Sequence, residues 1–282
     1  MNKKIRIAGI IGALAISAII LTSPSSAPPI PEPDVRSTGS KSVEILATGL
    51  DRPWAIDFAD TRIFITEKTG RIRVVDSGAL LEEPLATLRV AETFGGGLLG
   101  IAAHPNFANN HFLYVYYTYE EDGKLWNKVL RITEYQNKLQ DAITIIDKIP
   151  GSKFSNGGVI KFGPDSMLYI GTGSVSDSSH GPQDLRSLEG KILRLYDDGA
   201  IPSDNPFPNS PVFSYGHRNP QGMAWDVSEN LYVTELGPSK NDEINLVISG
   251  KNYGWPEQEC SGLSEFMDAV MCYDPSIEPG GI

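Results

Sequence analysis

One pattern recurs four times along this 282-residue chain and constrains its fold more than any other feature. Each copy is a small-apolar stretch, a turn and an aromatic-apolar stretch. The copies are Trp54–Phe58 with Ile63–Thr66, Leu99–Ala103 with Leu113–Tyr117, Val159–Phe162 with Leu168–Ile170, and Met223–Trp225 with Leu231–Val233. A further strand pattern follows each, over 71–75, 128–133, 191–195 and 243–248. The equivalent aromatic positions Phe64, Tyr114, Tyr169 and Tyr232 lie 50, 55 and 63 residues apart. Repeats of roughly 40–50 residues with several short strands are the mark of β-propeller blades. The longer gaps place insertions in loops, where binding groups gather. A two-sheet sandwich is the competing arrangement, because short and evenly spaced strands suit it too. The expected fold is therefore all-β, with one short helical turn over 183–188. Three prolines make 204–212 a loop.

The N-terminus has the pattern of an export signal. Lys3, Lys4 and Arg6 precede an uncharged, mostly apolar run from Ile7 to Leu21. Fifteen residues fall short of a membrane span and suit a signal core. Ser25-Ser26-Ala27 is a cleavage candidate, but Pro28 would hinder a peptidase, so a retained N-terminal membrane anchor is the alternative. The expected organisation is a signal peptide or signal-anchor over 1–27, a Pro/Ser-rich linker over 28–41 and a propeller domain over 42–282. An extracellular, periplasmic or surface-anchored location follows. Cys260 and Cys272 then make a plausible disulfide. The net charge of -11 carries no basic footprint, so nucleic acid is not an expected partner.

Several motifs carry chemistry. Gly95-Gly-Gly-Leu-Leu-Gly100 matches a dinucleotide-binding spacing, yet Pro105 follows where a helix is required, so a turn entering a strand is the better reading. Arg218 and Asn219, in Gly216-His-Arg-Asn-Pro-Gln-Gly222, offer a fork of donors suited to carboxylates, or else bond loop carbonyls structurally. Gly237-Pro238 offers backbone carbonyls, and Asp242 and Glu243 offer carboxylates. Ca²⁺ accepts such a mixture, although a turn with a solvated acidic pair is the plainer alternative. Among the histidines, His217 is the one placed near a pocket. His104 is expected to be structural.

Together these stretches resemble the soluble PQQ-dependent aldose sugar dehydrogenases, the glucose/sorbosone dehydrogenase family. The matching segments run in family order: Gly97–Asn106, Asn156–Gly158, Phe162–Ile170, Leu188–Arg194, Ile201–Phe207, Gly216–Gly222, and Gly237 through Asn245 to Pro256. The resemblance implies a six-bladed propeller holding pyrroloquinoline quinone (PQQ), a flat quinone with three carboxylates, together with Ca²⁺. It implies that Arg218 and Asn219 contact the quinone. Gly237 and Pro238 would give carbonyls to its Ca²⁺, and the Glu243 side chain and Tyr253 backbone would hold a second, structural Ca²⁺. An aldose substrate and an external electron acceptor of undetermined identity are implied.

Three departures stand out. Ser155 occupies the position of the family's general-base histidine, and a lone serine hydroxyl cannot take a proton near neutral pH. Ser174 replaces an aspartate, and Gly95-Gly96 replace a Glu or Gln. The four repeats fill the domain to Ile282, so the chain is expected to be truncated after four to five blades. The leading expectation is Ca²⁺-assisted oxidation of an aldose at its anomeric carbon, impaired by Ser155. The alternative is a non-catalytic exported propeller that binds sugars or a protein. A lactonase-like propeller is less well supported, since no convergent Asp/Glu/Asn set recurs at blade positions.

Overall fold

The computed structural model describes residues 45–175 and 180–282, and its compact unit runs from Ile45 to Ile282. The expected signal and linker lie outside the described residues. Each repeat forms one antiparallel sheet. Blade 1 contains β1 (Pro53–Ala59), β2 (Arg62–Glu67) and β3 (Arg71–Asp76), with the short β4 (Ala79–Leu80) and β5 (Ala86–Thr87) both paired to β3. Blade 2 contains β6 (Leu98–Ala103), β7 (Phe112–Glu121), β8 (Lys124–Tyr135) and β9 (Lys138–Pro150). Blade 3 contains β10 (Gly157–Phe162), β11 (Leu168–Thr172), β12 (Lys191–Leu195) and β13 (Val212–Tyr215). Blade 4 contains β14 (Pro220–Trp225), β15 (Leu231–Glu235), β16 (Asp242–Val247) and β17 (Met271–Tyr273).

The sheets stack face to face in chain order, which makes a propeller rather than a sandwich. The side-chain alternation of β7 shows why. Leu113 and Val115 pack towards blade 1, whereas Tyr114 and Tyr116 pack towards blade 3. Successive residues of a strand point to opposite faces. A sheet covered on both faces therefore reads as a continuous apolar run, as Leu113–Tyr117 does. Full burial of each such side chain is worth about 1.5–3 kcal/mol. The phenols stay satisfied: Tyr114 donates to the Asp197 carbonyl at 2.8 Å and Tyr116 to the Asn156 carbonyl at 2.9 Å. A third core, with Tyr169, Ile192, Met223 and Val233, joins blades 3 and 4. Of the four repeating aromatics, Phe64, Tyr114 and Tyr169 are buried and Tyr232 is half-buried.

The first strands β1, β6, β10 and β14 surround a central cavity of about 360 Å³. Their small residues are a steric requirement there. A Cβ on Gly100 would collide with the Gly158 carbonyl of the adjacent first strand.

Three local expectations change. A helical turn α2 spans His180–Gln183 and overlaps the expected segment only at Gln183, and an unexpected turn α1 spans Phe107–Asn110. Each blade carries more than the three strands read per repeat, four in blades 2–4 and five in blade 1. The Gly95–Gly97 turn leads into β6 as expected. Cys260 and Cys272 are bonded, with Cα atoms 5.6 Å apart, and tie the loop after β16 to β17.

Candidate functional site

Three loops meet at the end of the propeller where the first strands begin. They are the β13–β14 connection carrying His217, Arg218 and Asn219, the β15–β16 connection carrying Gly237 and Pro238, and the loop after β16 carrying Tyr253 and Trp255. Arg218, Gly237, Pro238, Glu243 and Tyr253 line one cavity of about 10 Å³. That is room for a single water or ion.

Glu235 organises this region, a role the sequence reading did not assign. One of its carboxylate oxygens lies 2.5 Å from His217 Nδ1 and accepts from Asn245 Nδ2 at 3.0 Å. The other accepts the Arg218 N–H at 2.8 Å. Burial pushes its carboxyl up, but His217, the Arg218 N–H and Asn245 together outweigh burial and hold it below the usual range. His217 is fully buried, 2.8 Å from Ser214 Oγ, and its ring stacks on Tyr253 at 4.6 Å. It therefore lies beside the small cavity, as expected, against Glu235 and Tyr253 of its lining, but it is buried behind them, positions the loop and is closed to a substrate.

Glu243 sits across from Glu235. Its carboxylate accepts the Cys260 N–H at 2.6 Å and Asn245 Nδ2 at 3.0 Å. Burial, followed by the Glu235 charge, raises its carboxyl well above the ordinary range. Asn245 thus donates to both carboxylates, and its buried Oδ1 has no partner among the described residues. Tyr253 is fixed by its phenol, which donates to the Leu246 carbonyl at 2.6 Å and accepts the Ile248 N–H at 2.8 Å. Among the described residues, no hydrogen bond reaches the carbonyl oxygens of Gly237, Pro238 or Tyr253.

Asp242 is not part of this set. Its carboxylate accepts the Gly237, Ile277 and Glu278 N–H groups and the Ser276 hydroxyl, at 2.6–2.8 Å. It is a loop clamp, so the expectation that it offers oxygens to a cation does not hold. Among the described residues, no three His, Cys, Asp or Glu side chains converge as a metal cluster.

A larger cavity of about 430 Å³ opens at the same end, lined by Asn219, Leu236, Asn156, Gln221 and Trp54 among others. Asn219 Oδ1 accepts the Gly157 N–H at 2.9 Å, which leaves its Nδ2 as the remaining donor. Arg218 donates to the Leu236 carbonyl at 2.5 Å, with its guanidinium 5.3 Å from the Trp255 ring centre. It lines the small cavity rather than the large one. Ser155 is half-buried on the loop entering β10, with its N–H on Ser152 Oγ at 3.1 Å. Its neighbours Phe154 and Asn156 line the large cavity, and Ser155 itself does not. The structure thus gathers Arg218, Gly237, Pro238, Glu243 and Tyr253 in one place. Asn219 lies on the adjoining cavity wall and Ser155 just beyond its rim.

Comparison with known proteins agrees with this architecture. The family model described as Glucose / Sorbosone dehydrogenase matches residues 50–282. The chain is 37% identical to the aldose sugar dehydrogenase of Escherichia coli, over 76% of this chain and 62% of that protein. It is 32% identical to quinoprotein glucose dehydrogenase B of Acinetobacter calcoaceticus, over 76% of this chain and 52% of that protein. The chain thus spans between about half and two thirds of these two relatives. The PQQ-bound aldose sugar dehydrogenase of Streptomyces coelicolor superposes with a TM-score of 0.79 at 38% identity, covering 86% of this chain and 74% of that one. The chain belongs to the glucose/sorbosone dehydrogenase family.

Proposed function

We propose that this protein is a PQQ-dependent aldose dehydrogenase whose turnover is limited by the residue at position 155. The observation that carries the reading is the pairing of two cavities at one end of the propeller. One has the size of a small-molecule pocket. The other gathers a buried carboxylate and three carbonyls that no hydrogen bond reaches among the described residues.

The donor set of the small cavity fits a hard cation. A buried Glu243 beside Glu235 is a costly arrangement, and a divalent ion would offset it. The cavity admits one ion, so the Gly237, Pro238 and Tyr253 carbonyls and the Glu243 carboxylate are assigned to one Ca²⁺ rather than two. PQQ, when bound, supplies the two-electron redox chemistry. Arg218, stacked on Trp255, contributes positive charge for carboxylate groups at the mouth, and Asn219 Nδ2 contributes a donor inside the large cavity. The proton of the sugar hydroxyl needs an acceptor. His217 is closed off, and Ser155 has no base of its own. Slow turnover follows. We place the protein outside the cytoplasm, supported by the N-terminal charge pattern and the Cys260–Cys272 bond.

The test is a PQQ titration of the whole chain in millimolar Ca²⁺, followed by tryptophan fluorescence. Saturable binding is expected, weakened about tenfold or more by Arg218→Ala, since a charged donor is lost. Absence of binding would favour the second reading, a non-catalytic propeller that binds a sugar or a protein. Ser155 in place of a base is the observation on that side.

A further inference from the structure

One covalent bond flanks Glu243 on two sides. Cys272 stands directly opposite Glu243 in the β16–β17 ladder. Its partner Cys260 donates its N–H to Glu243 Oε1 at 2.6 Å. Glu259, the residue before Cys260, lines the small cavity together with Glu243 and accepts from Asn241 Nδ2 at 2.6 Å. The bond therefore ties the strand beside Glu243 to the N–H that holds its carboxylate.

Cys260 is held there by the sulfur bond and by the Ala269 N–H, which donates to its carbonyl at 2.7 Å. Its φ is 64°, a left-handed conformation that a non-glycine residue keeps only where its surroundings hold it. The middle of the loop is docked independently, since Met267 N–H donates to the Asn252 carbonyl at 2.8 Å. Freedom regained on cleavage is thus confined to the stretch around Cys260, and the residues that follow it, 261–265, are all exposed. Cys272 is exposed too, within reach of a small reductant. Neither cysteine belongs to a hydrophobic core, so the blades do not need the bond to stay packed.

We propose that this bond is a redox lock on the cation site. Oxidised, it keeps the Cys260 N–H on Glu243 and the carboxylate aimed into the small cavity. Reduced, it lets Cys260 leave the left-handed conformation, and divalent cations bind more weakly. The inference rests on the assignment of Glu243 to Ca²⁺ above. The reductant is a dithiol. Its first thiolate attacks the exposed Cys272 sulfur, breaks the S–S bond and expels the Cys260 thiolate, leaving a mixed disulfide. Its second thiolate displaces Cys272 and closes a cyclic disulfide. Two electrons pass to the cysteine pair, and two protons convert the thiolates to thiols. Tight cation loading is then confined to an oxidising compartment.

The experiment is a calorimetric Ca²⁺ titration of the whole chain, oxidised and after treatment with dithiothreitol. Loss of a donor that orients a ligating carboxylate typically costs about 10–100-fold in metal affinity. Reduction should therefore weaken Ca²⁺ binding about tenfold or more, and reoxidation should restore it. Cys260→Ser/Cys272→Ser should bind as the reduced parent does, with or without dithiothreitol. In Glu243→Gln the residual affinity should be the same before and after reduction. By linkage the same factor runs in reverse, so saturating Ca²⁺ should shift the parent's equilibrium with dithiothreitol towards the disulfide about tenfold or more. That measurement needs no variant and carries the test if the serine variant melts early. Equal Ca²⁺ affinity in oxidised and reduced protein would overturn the lock and leave the calcium assignment standing. A loss on reduction that Glu243→Gln shares would overturn it too. No Ca²⁺ binding by the oxidised protein would remove the calcium assignment and the lock with it.

Discussion

The carbonyl oxygen of Phe154 fills the space that a Cβ on Gly95 would occupy. This contact lets the loop before β10 lie on the turn before β6 and brings Phe94 and Phe154 together. Gly95→Ala should push these loops apart. Overpacking with backbone shifts costs about 1–3 kcal/mol. At about 2–4 °C per kcal/mol for a domain of this size, the melting temperature should fall by several degrees. An unchanged melting temperature would show that the loops part freely.

Calcium should stabilise the folded protein, because a ligand that binds only the native state shifts the equilibrium by mass action. Millimolar Ca²⁺ is expected to raise the melting temperature, and Glu243→Gln to reduce that rise. Calorimetric scans with Ca²⁺ and with chelator provide the measurement. Identical scans would remove Glu243, Tyr253, Gly237 and Pro238 as ligands together.

The metal-free protein should have a pH-dependent stability traceable to Glu243. Burial and Glu235 raise this carboxyl above its ordinary value of 4.5. The folded state therefore holds the proton more tightly than the unfolded chain. Stability from this group is complete below the ordinary value and is lost as pH rises towards neutrality through the folded value. Glu243→Gln should flatten that slope in chelator. Urea unfolding at several pH values between acid and neutral checks it, and a variant with the parent's slope would contradict the assignment.

Restoring a base should restore rate. Loss of a positioned general base costs a factor of ~10²–10⁴. With PQQ and Ca²⁺ bound, Ser155→His is expected to raise dye-coupled aldose turnover about 10²-fold or more. Equal turnover in both forms would mean that another group already takes the proton.

Lys191 pins the loop over blade 3. Its buried ammonium donates to the carbonyls of Gly181, Pro182 and Glu189 at 2.6–2.9 Å. Lys191→Met keeps the bulk of the side chain but strands three acceptors, each worth ~1–3 kcal/mol when buried and unpaired. The expected drop in melting temperature is about 5 °C or more. Gln183, bonded to Asn252 at 3.1 Å and to the Trp255 carbonyl at 2.8 Å, should become protease-accessible with its loop. A variant as stable as the parent would show that water replaces the ammonium without cost.

Strand order and blade stacking were already written in the sequence, because both follow from local periodicity. A run such as Leu113–Tyr117 is apolar at every position only where both sheet faces are covered. The gathering of Arg218, Gly237, Pro238 and Glu243 at one end was legible as well. Arg218, Gly237 and Pro238 sit on connections at the same end of β14 and β15, and Glu243 sits at the start of β16, so strand direction brings these four together; Tyr253 arrives only because the loop after β16 folds back beside Tyr215. The tertiary structure alone decided what each polar group does. Asp242 and Glu243 are adjacent acidic residues with opposite fates. Segments 34–36 residues away saturate Asp242 with donors. Glu243 instead faces Glu235 and a cavity. His217 resembled a pocket residue until Ser214, Glu235 and Tyr253 closed around it. Periodicity is a property of the chain read in order. Hydrogen-bond partners and desolvation depend on which distant segments arrive, and that is determined only when the blades pack.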